Sequence, residues 1–377
     1  MTDAAYPAAR VVASRAESHF SRHIDAARAR GRKHVAEKPP AGAIEAMVDA
    51  AFWASLRREE GLTPKISLAF IPPEQAGEPL RFEHPLPLTA VALAKLAPAV
   101  ERPGIHLGVW AADGQLRVWG TTRELPAYCM VIEVVGSGWL VIKHRAESFG
   151  KFVNVAVLEG EEVKVVDESN ARMPGCPGVL KSMLGFDATQ RATAQVNVLV
   201  LIAASMRAHG RGGMLLVVPS GTNGWRSSIV APVLYSVDPP FAGLADLLGR
   251  QDANASADWE EDLRRAVDAM AGLTAVDGAT LIDEHYELLA FGAKISRGRG
   301  QPPVERVLVT EPIEGSLVTE ATPVQLGGTR HLSAAQFVHD QRDASALVAS
   351  QDGRFTIFTW SAPEQCVHAH RVEALLL

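Results

Sequence analysis

Four short stretches of this 377-residue chain combine residue types that can do chemistry. Asp277, Gly278 and Ala279 fall where a helical pattern gives way to a strand. A carboxylate beside glycine lets backbone and a metal ion or ribose approach closely, although Asp-Gly also makes an ordinary tight turn. Gly327, Gly328, Thr329, Arg330 and His331 stand just before the helical run 334–341. Free backbone N–H groups, the positive end of a helix and a bidentate guanidinium would converge there on an anion. The structural alternative is that Thr329 or Ser333 caps the helix while Arg330 pairs with an acid. The loop 296–301 sets Arg297 and a second arginine on a glycine frame able to close over phosphates or to stay solvated. Cys366, His368 and His370 alternate, so a strand would show all three on one face as zinc ligands, without a fourth nearby.

The chain lacks a phosphate loop ending in Lys-Ser or Lys-Thr, a dinucleotide fingerprint, a nucleophile elbow and a His-Glu-x-x-His pair. Those absences disfavour the common nucleotide hydrolases and dehydrogenases. Lys plus Arg is 37 against 43 for Asp plus Glu, a net charge of −6 that gives no global attraction to nucleic acid or an anionic membrane. Any anionic ligand must meet a local basic site. Three cysteines are too few for a disulfide framework or a four-cysteine zinc site. The longest apolar run, 196–206, contains Asn197 and ends at Arg207, too short to span a bilayer. With no secretory pattern at the N-terminus, the expected location is the cytoplasm.

The elements that must position these residues divide into two textures. Residues 6–38 are rich in Arg and Ala at helical spacing and predict a solvated helix, the bland counterpart of a nucleic-acid arm. A second helix over 43–60 carries Ile44, Met47, Val48, Ala51, Phe52 and Leu56 on one stripe, with Gly61 as its cap. Short β-rich runs follow at 66–71, 105–110, 115–119, 129–135, 139–143, 152–158 and 163–166, with hairpins at Asp113-Gly114 and Glu159-Gly160. They predict an antiparallel sheet. The breaker-rich stretch 173–178 is the candidate boundary. Beyond it a helix over 192–208, a strand at 214–218 buried on both faces, a helix over 260–273 and strands at 275–282, 288–295, 304–309, 345–349 and 355–360 give a mixed layout. The fold class is therefore α+β or mixed α/β: an N-terminal domain over 1–172 with helices and an antiparallel β-rich sheet, then a domain over 190–377 with a mixed central sheet flanked by helices.

Val276–Ile282 (VDGATLI), Gly327–Ala335 (GGTRHLSAA) and Asp343–Thr356 (DASALVASQDGRFT) together resemble the diadenylate cyclase domain first known from the bacterial DNA integrity scanning protein. That family carries Asp-Gly-Ala, then Gly-Thr-Arg-His-Arg, then a strand ending in Ser-Glu, and joins two ATP molecules into cyclic di-AMP with a divalent metal. The resemblance begins near Ala192, with Gly212–Pro219 (GGMLLVVP) as the early buried strand, and the chain as a whole most resembles the sensor variant called DACNV. It implies that Asp277 is the metal- and ribose-side carboxylate and that Gly278 and Ala279 line an adenine pocket. Gly328, Thr329 and Arg330 would hold phosphates with His331 supporting their turn, and Ser350 and Gln351 would join the nucleotide site; the arginine pair of the loop 296–301, read from its own residues, adds Arg297 as a further nucleotide contact. Two departures stand out: Leu332 replaces the second arginine and Gln351 the glutamate, with Asp352 one residue late and so on the opposite face of a strand. The expectation is a degenerate site that binds a nucleotide or cyclic dinucleotide as a sensor. The alternative is an active cyclase with Mg²⁺ or Mn²⁺ on Asp277 and Asp352 in a face-to-face homodimer. A purely structural protein with a collapsed pocket is the third class.

Overall fold

The computed structural model describes residues 5–58, 61–146, 152–172, 176–184, 190–249, 257–298 and 300–377. Residues 173–175 of the expected boundary, Glu59 and Glu60 after the second helix, and Arg299 lie outside them. The chain forms two compact units, Met1–Val166 with Leu377, and Asp167–Leu376. Each is a mixed α/β layer structure, as the patterning predicts.

In the first unit, α1 (Pro7–Ala29) opens with proline at a position where its missing N–H costs nothing. The expectation of a solvated helix is corrected here: Val12, Ala16, Phe20, Ile24 and Ala27 form a stripe that is wholly buried. Alanines make this stripe weakly hydrophobic, so the charged face dominates the sequence. α2 (Ala41–Ser55) packs against α1 and ends six residues before Gly61, which is therefore not its cap. β1 (Ile66–Phe70), β2 (Leu80–Pro87), α3 (Ala90–Val100), β3 (His106–Ala112), β4 (Gln115–Thr122), β5 (Met130–Gly136), β6 (Trp139–Arg145), β7 (Phe152–Glu159) and β8 (Glu162–Val165) complete the unit. β2 and α3 contain Pro85, Pro87 and Pro98, which mask them in the patterning; β2 tolerates its prolines because it is an edge strand. The sheet order is β2-β4-β3-β1-β5-β6-β7-β8, antiparallel except for the pair β1 and β3, which the crossover through α3 makes parallel. All three helices belong to one core with the sheet residues Leu68, Leu107, Ile132, Leu140 and Ile142.

In the second unit, α4 (Gly178–Met183) and α5 (Gln190–Ala208) lead to β9 (Gly213–Val218), and β10 (Tyr235–Phe241), α6 (Gly243–Gly249) and α7 (Ala257–Leu273) lead to β11 (Ala279–Asp283). β12 (Leu288–Ala293), β13 (Val307–Thr310), β14 (Thr319–Ala321), α8 (Pro323–Leu326), α9 (Thr329–Asp340), β15 (Ser345–Ala349), β16 (Phe355–Ser361) and β17 (Cys366–Arg371) follow. The sheet order is β10-β12-β11-β9-β15-β16-β17-β13-β14. β9 is buried along its whole length, parallel to β11 and antiparallel to β15. α9 lies across β9, β15, β16 and β17, burying Ala334, Ala335, Phe337 and Val338 against Leu216, Val348, Phe358 and Ala369. α5 packs on β15 and α7 on α5. No described helix is long and apolar enough to cross a membrane.

The buried stripe of α1 gives a direct test. Phe20→Ala removes a fully buried ring and is expected to lower unfolding free energy by about 3–5 kcal/mol in urea denaturation, against about 0.5 kcal/mol or less for a solvated helix.

Candidate functional site

The sheet's directions fix where the candidate residues meet. Because β9 and β11 are parallel while β12 and β15 run against them, the starts of β9 and β11 and the ends of β12 and β15 share one edge. A cavity of about 540 Å³ opens there, lined by Met214, Asp277, Gly278, Ala293, Lys294, Ile295, Gly328, Thr329, Arg330, His331, Ser333, Ser350, Gln351 and Asp352. Three sequence motifs separated by up to 75 residues thus reach one space, and the volume falls in the range usual for small-molecule sites, roughly 300–1,000 Å³.

Two close approaches hold this edge together. Gly278 has φ +124°, and a Cβ there would stand 2.4 Å from the carbonyl carbon of Gly292, so only glycine lets β11 begin against the end of β12. At Gly212, φ +71°, a Cβ would meet the Arg330 guanidinium at 2.9 Å, so the side chain at the start of α9 lies on bare backbone ahead of β9.

Asp277 is almost fully exposed at the rim, its carboxylate 2.5 Å from Lys294 Nζ. The Lys294 hydrogen bond and charge hold it below the usual carboxylate range, and Arg330 pulls the same way. Asp352 Oδ2 lies 3.4 Å from Arg354 Nε. Arg330 has no hydrogen-bond or ion-pair partner among the described residues; Asp277 is matched within the lining by Lys294, and Asp352 by Arg354, which stands outside it. α9 starts at Gly328 without a side-chain cap, which leaves the first-turn N–H groups of Thr329 and Arg330 open for an anion. His331 is buried at 2 % exposure, edge-on to Phe358 and 3.4 Å from Thr356 Oγ1. Burial pushes its pKa down, with Asp352 opposing and Arg371, Arg354 and Arg330 assisting, so it serves the turn as a neutral ring.

Several expected positions differ. Ala279 is wholly buried in the core beneath the sheet, not in the cavity, because alternation along β11 turns it inward. Arg297 is exposed and does not line the cavity: the neighbouring Gly298 N–H donates to Asp340 Oδ2 at 2.7 Å, at the far end of α9. Twelve helical residues, roughly 17 Å, separate that anchor from Gly328. Asp352 is not on the opposite face of a strand from Gln351; β15 stops at Ala349, and both residues line the cavity from the turn before β16. Gln351 Nε2 donates to the Arg211 carbonyl at 3.3 Å. Leu332 stands outside the lining. Lys294, Ala293 and Ile295 join the site from outside every motif, and Ser333 and Met214 join it from within motifs that gave them no ligand role.

As a seat for the implied Mg²⁺ or Mn²⁺, the residues present do not fit. Asp277 and Asp352 are each engaged by a cation, and no third His, Cys, Asp or Glu joins them within ligand distance among the described residues. Cys366, His368 and His370 do lie along β17, but His370 Nδ1 bonds Thr310 Oγ1 at 2.7 Å and its Nε2 faces Thr359 Oγ1 at 3.3 Å, a structural use of the ring. At the opposite end of β9 and β11, buried Asp283 accepts the Ser220 hydroxyl at 2.8 Å and the N–H groups of His285 and Glu287, closing the β11–β12 turn.

Residues 33–123 match the family described as a probable sensor domain, DACNV. The matched stretch lies inside the first unit, whereas the cavity belongs to the second. No curated protein matches the chain.

Two outcomes follow from this geometry. Gly278→Ala should cost about 1–3 kcal/mol of stability, read as a lowered Tm, since both backbone conformation and the Gly292 contact forbid the methyl group. Burial lowers the His370 pKa to about 4, with His368 adding to the shift. The unfolded ring titrates near 6.5, so the stability this neutral ring contributes is present above about pH 6.5 and is lost as pH falls toward 4. Urea midpoints should therefore drop between pH 7 and pH 4, and His370→Gln should remove about 3 kcal/mol of that drop.

Proposed function

We propose that the second unit binds a nucleotide or nucleotide-derived second messenger in the cavity, as the ligand-binding part of a sensor protein. The observation that carries this reading is the convergence of Asp277, Thr329, Arg330 and Ser350 on one space from three separate motifs, with Arg330 as a cation that no described carboxylate pairs. Arg330 and the open first turn of α9 suit a phosphate group, while Thr329, Ser333 and Ser350 offer hydroxyls around it. The partly apolar wall of Met214, Ala293 and Ile295 suits a base. Sensing is supported independently by the family match over 33–123.

A second reading, an active diadenylate cyclase, is favoured by the place of that match: with the sensor family in the first unit, the cavity unit is available as an output. It requires a metal-assisted transfer between two facing protomers. Gln351 in place of a carboxylate, and two carboxylates tied up by Lys294 and Arg354, weigh against turnover more than against binding.

Thermal unfolding with AMP, ATP and cyclic di-AMP tests binding. A ligand at about 100 times its Kd should stabilise the fold by about 2.7 kcal/mol, and Arg330→Ala should abolish the shift. Incubation with ATP and Mn²⁺ should yield no cyclic di-AMP by mass spectrometry; product that disappears in Asp277→Asn would establish the cyclase instead.

A further inference from the structure

The β11–β12 register sets Lys294 beside the Asp277-Gly278 corner: Ala279 pairs with Ala293, and the next residue of β12's continuation faces the residues that precede β11. The backbone there is fixed from the other side, since the Lys294 carbonyl accepts the Val230 N–H at 2.8 Å and Ile295 forms a bridge with Ile229. Lys294 therefore reaches Asp277 from a fixed base, and its Nζ donates to Oδ2 of the carboxylate that a metal ion would have to share.

We propose that Lys294 takes the place of a divalent cation at Asp277, so that this cavity holds a nucleotide phosphodiester without metal. The proposal rests on the nucleotide reading of the cavity. A dication on Asp277 would meet the repulsion of two positive groups, the Lys294 ammonium and the Arg330 guanidinium, and would compete with the first for Oδ2. Oxygen-seeking ions such as Mg²⁺ also need near-octahedral donors, and the second carboxylate, Asp352, is held by Arg354. With the ammonium in place, the site already has what the ion would supply: a positive charge that screens Asp277 from an incoming phosphate. Lys294 and Arg330 then flank that phosphate, one compact and mobile, the other planar and bidentate. Two lining cations, Lys294 and Arg330, with Arg354 beside Asp352 outside the lining, suit phosphodiesters, each carrying a single negative charge, better than a free triphosphate, whose charge the pocket lacks the cations to balance.

The test is calorimetric titration of the full chain with cyclic di-AMP, in EDTA and again in Mn²⁺, alongside Mn²⁺ titration followed by electron paramagnetic resonance. The expected result is the same Kd in both buffers and no stoichiometric Mn²⁺ on the unmodified protein. Lys294→Met should weaken binding in EDTA by about tenfold or more, and Lys294→Arg should restore most of it. Lys294 is half exposed, so neither substitution disturbs the core. Binding that appears only with Mn²⁺, or that Lys294→Met leaves unchanged in EDTA, overturns the proposal while leaving the nucleotide reading intact. Absence of binding by cyclic di-AMP, AMP and ATP in both buffers overturns both.

Discussion

The contact between the backbones of Gly278 and Gly292 is the constraint on which the rest of the site depends. It allows β11 to begin hard against the end of β12, and that places Asp277 and Lys294 on one corner. Pairing of β11 with β9, and of β9 with β15, carries the same edge across the sheet to Gly212 and to the turn at Ser350. There Arg330 rests on Gly212, joining the start of α9 to the strands. A methyl group at Gly278 would move Asp277 away from its partner, and one at Gly212 would lift Arg330 off the sheet.

Charge is arranged locally and modestly. The chain carries a net −6, yet at the cavity Asp277 pairs with Lys294, Asp352 pairs with Arg354 outside the lining, and Arg330 is left without an ion-pair partner among the described residues. A site of this kind needs no basic surface to hold a small anion, because the helix start and a single guanidinium act at contact distance. His331 stays neutral beneath them, so the turn it supports adds no charge that a ligand would have to offset.

Most of the strands were legible because their period and turns are local properties, as at Asp113-Gly114 between β3 and β4 and in the fully apolar β9. The Asp277 and Arg330 motifs were legible as chemistry, but only the sheet directions show that they meet. Lys294 was not, because the β11–β12 ladder shifts register twice, so counting back from the turn does not place it opposite Asp277. Asp352 was assigned a strand face although its strand had ended, and Arg297 a phosphate role although Asp340 ties its loop to the other end of α9. In α1 the buried positions are largely alanine, which hides an inward face behind a charged outward one.

The match to a sensor family and the cavity lie in different units, which makes the location of ligand capture the central question. The most direct measurement is hydrogen exchange by mass spectrometry with and without cyclic di-AMP. The predicted result is protection confined to peptides covering 277–280, 293–296, 328–333 and 350–353. Protection within 33–123 with none at these four segments would contradict it.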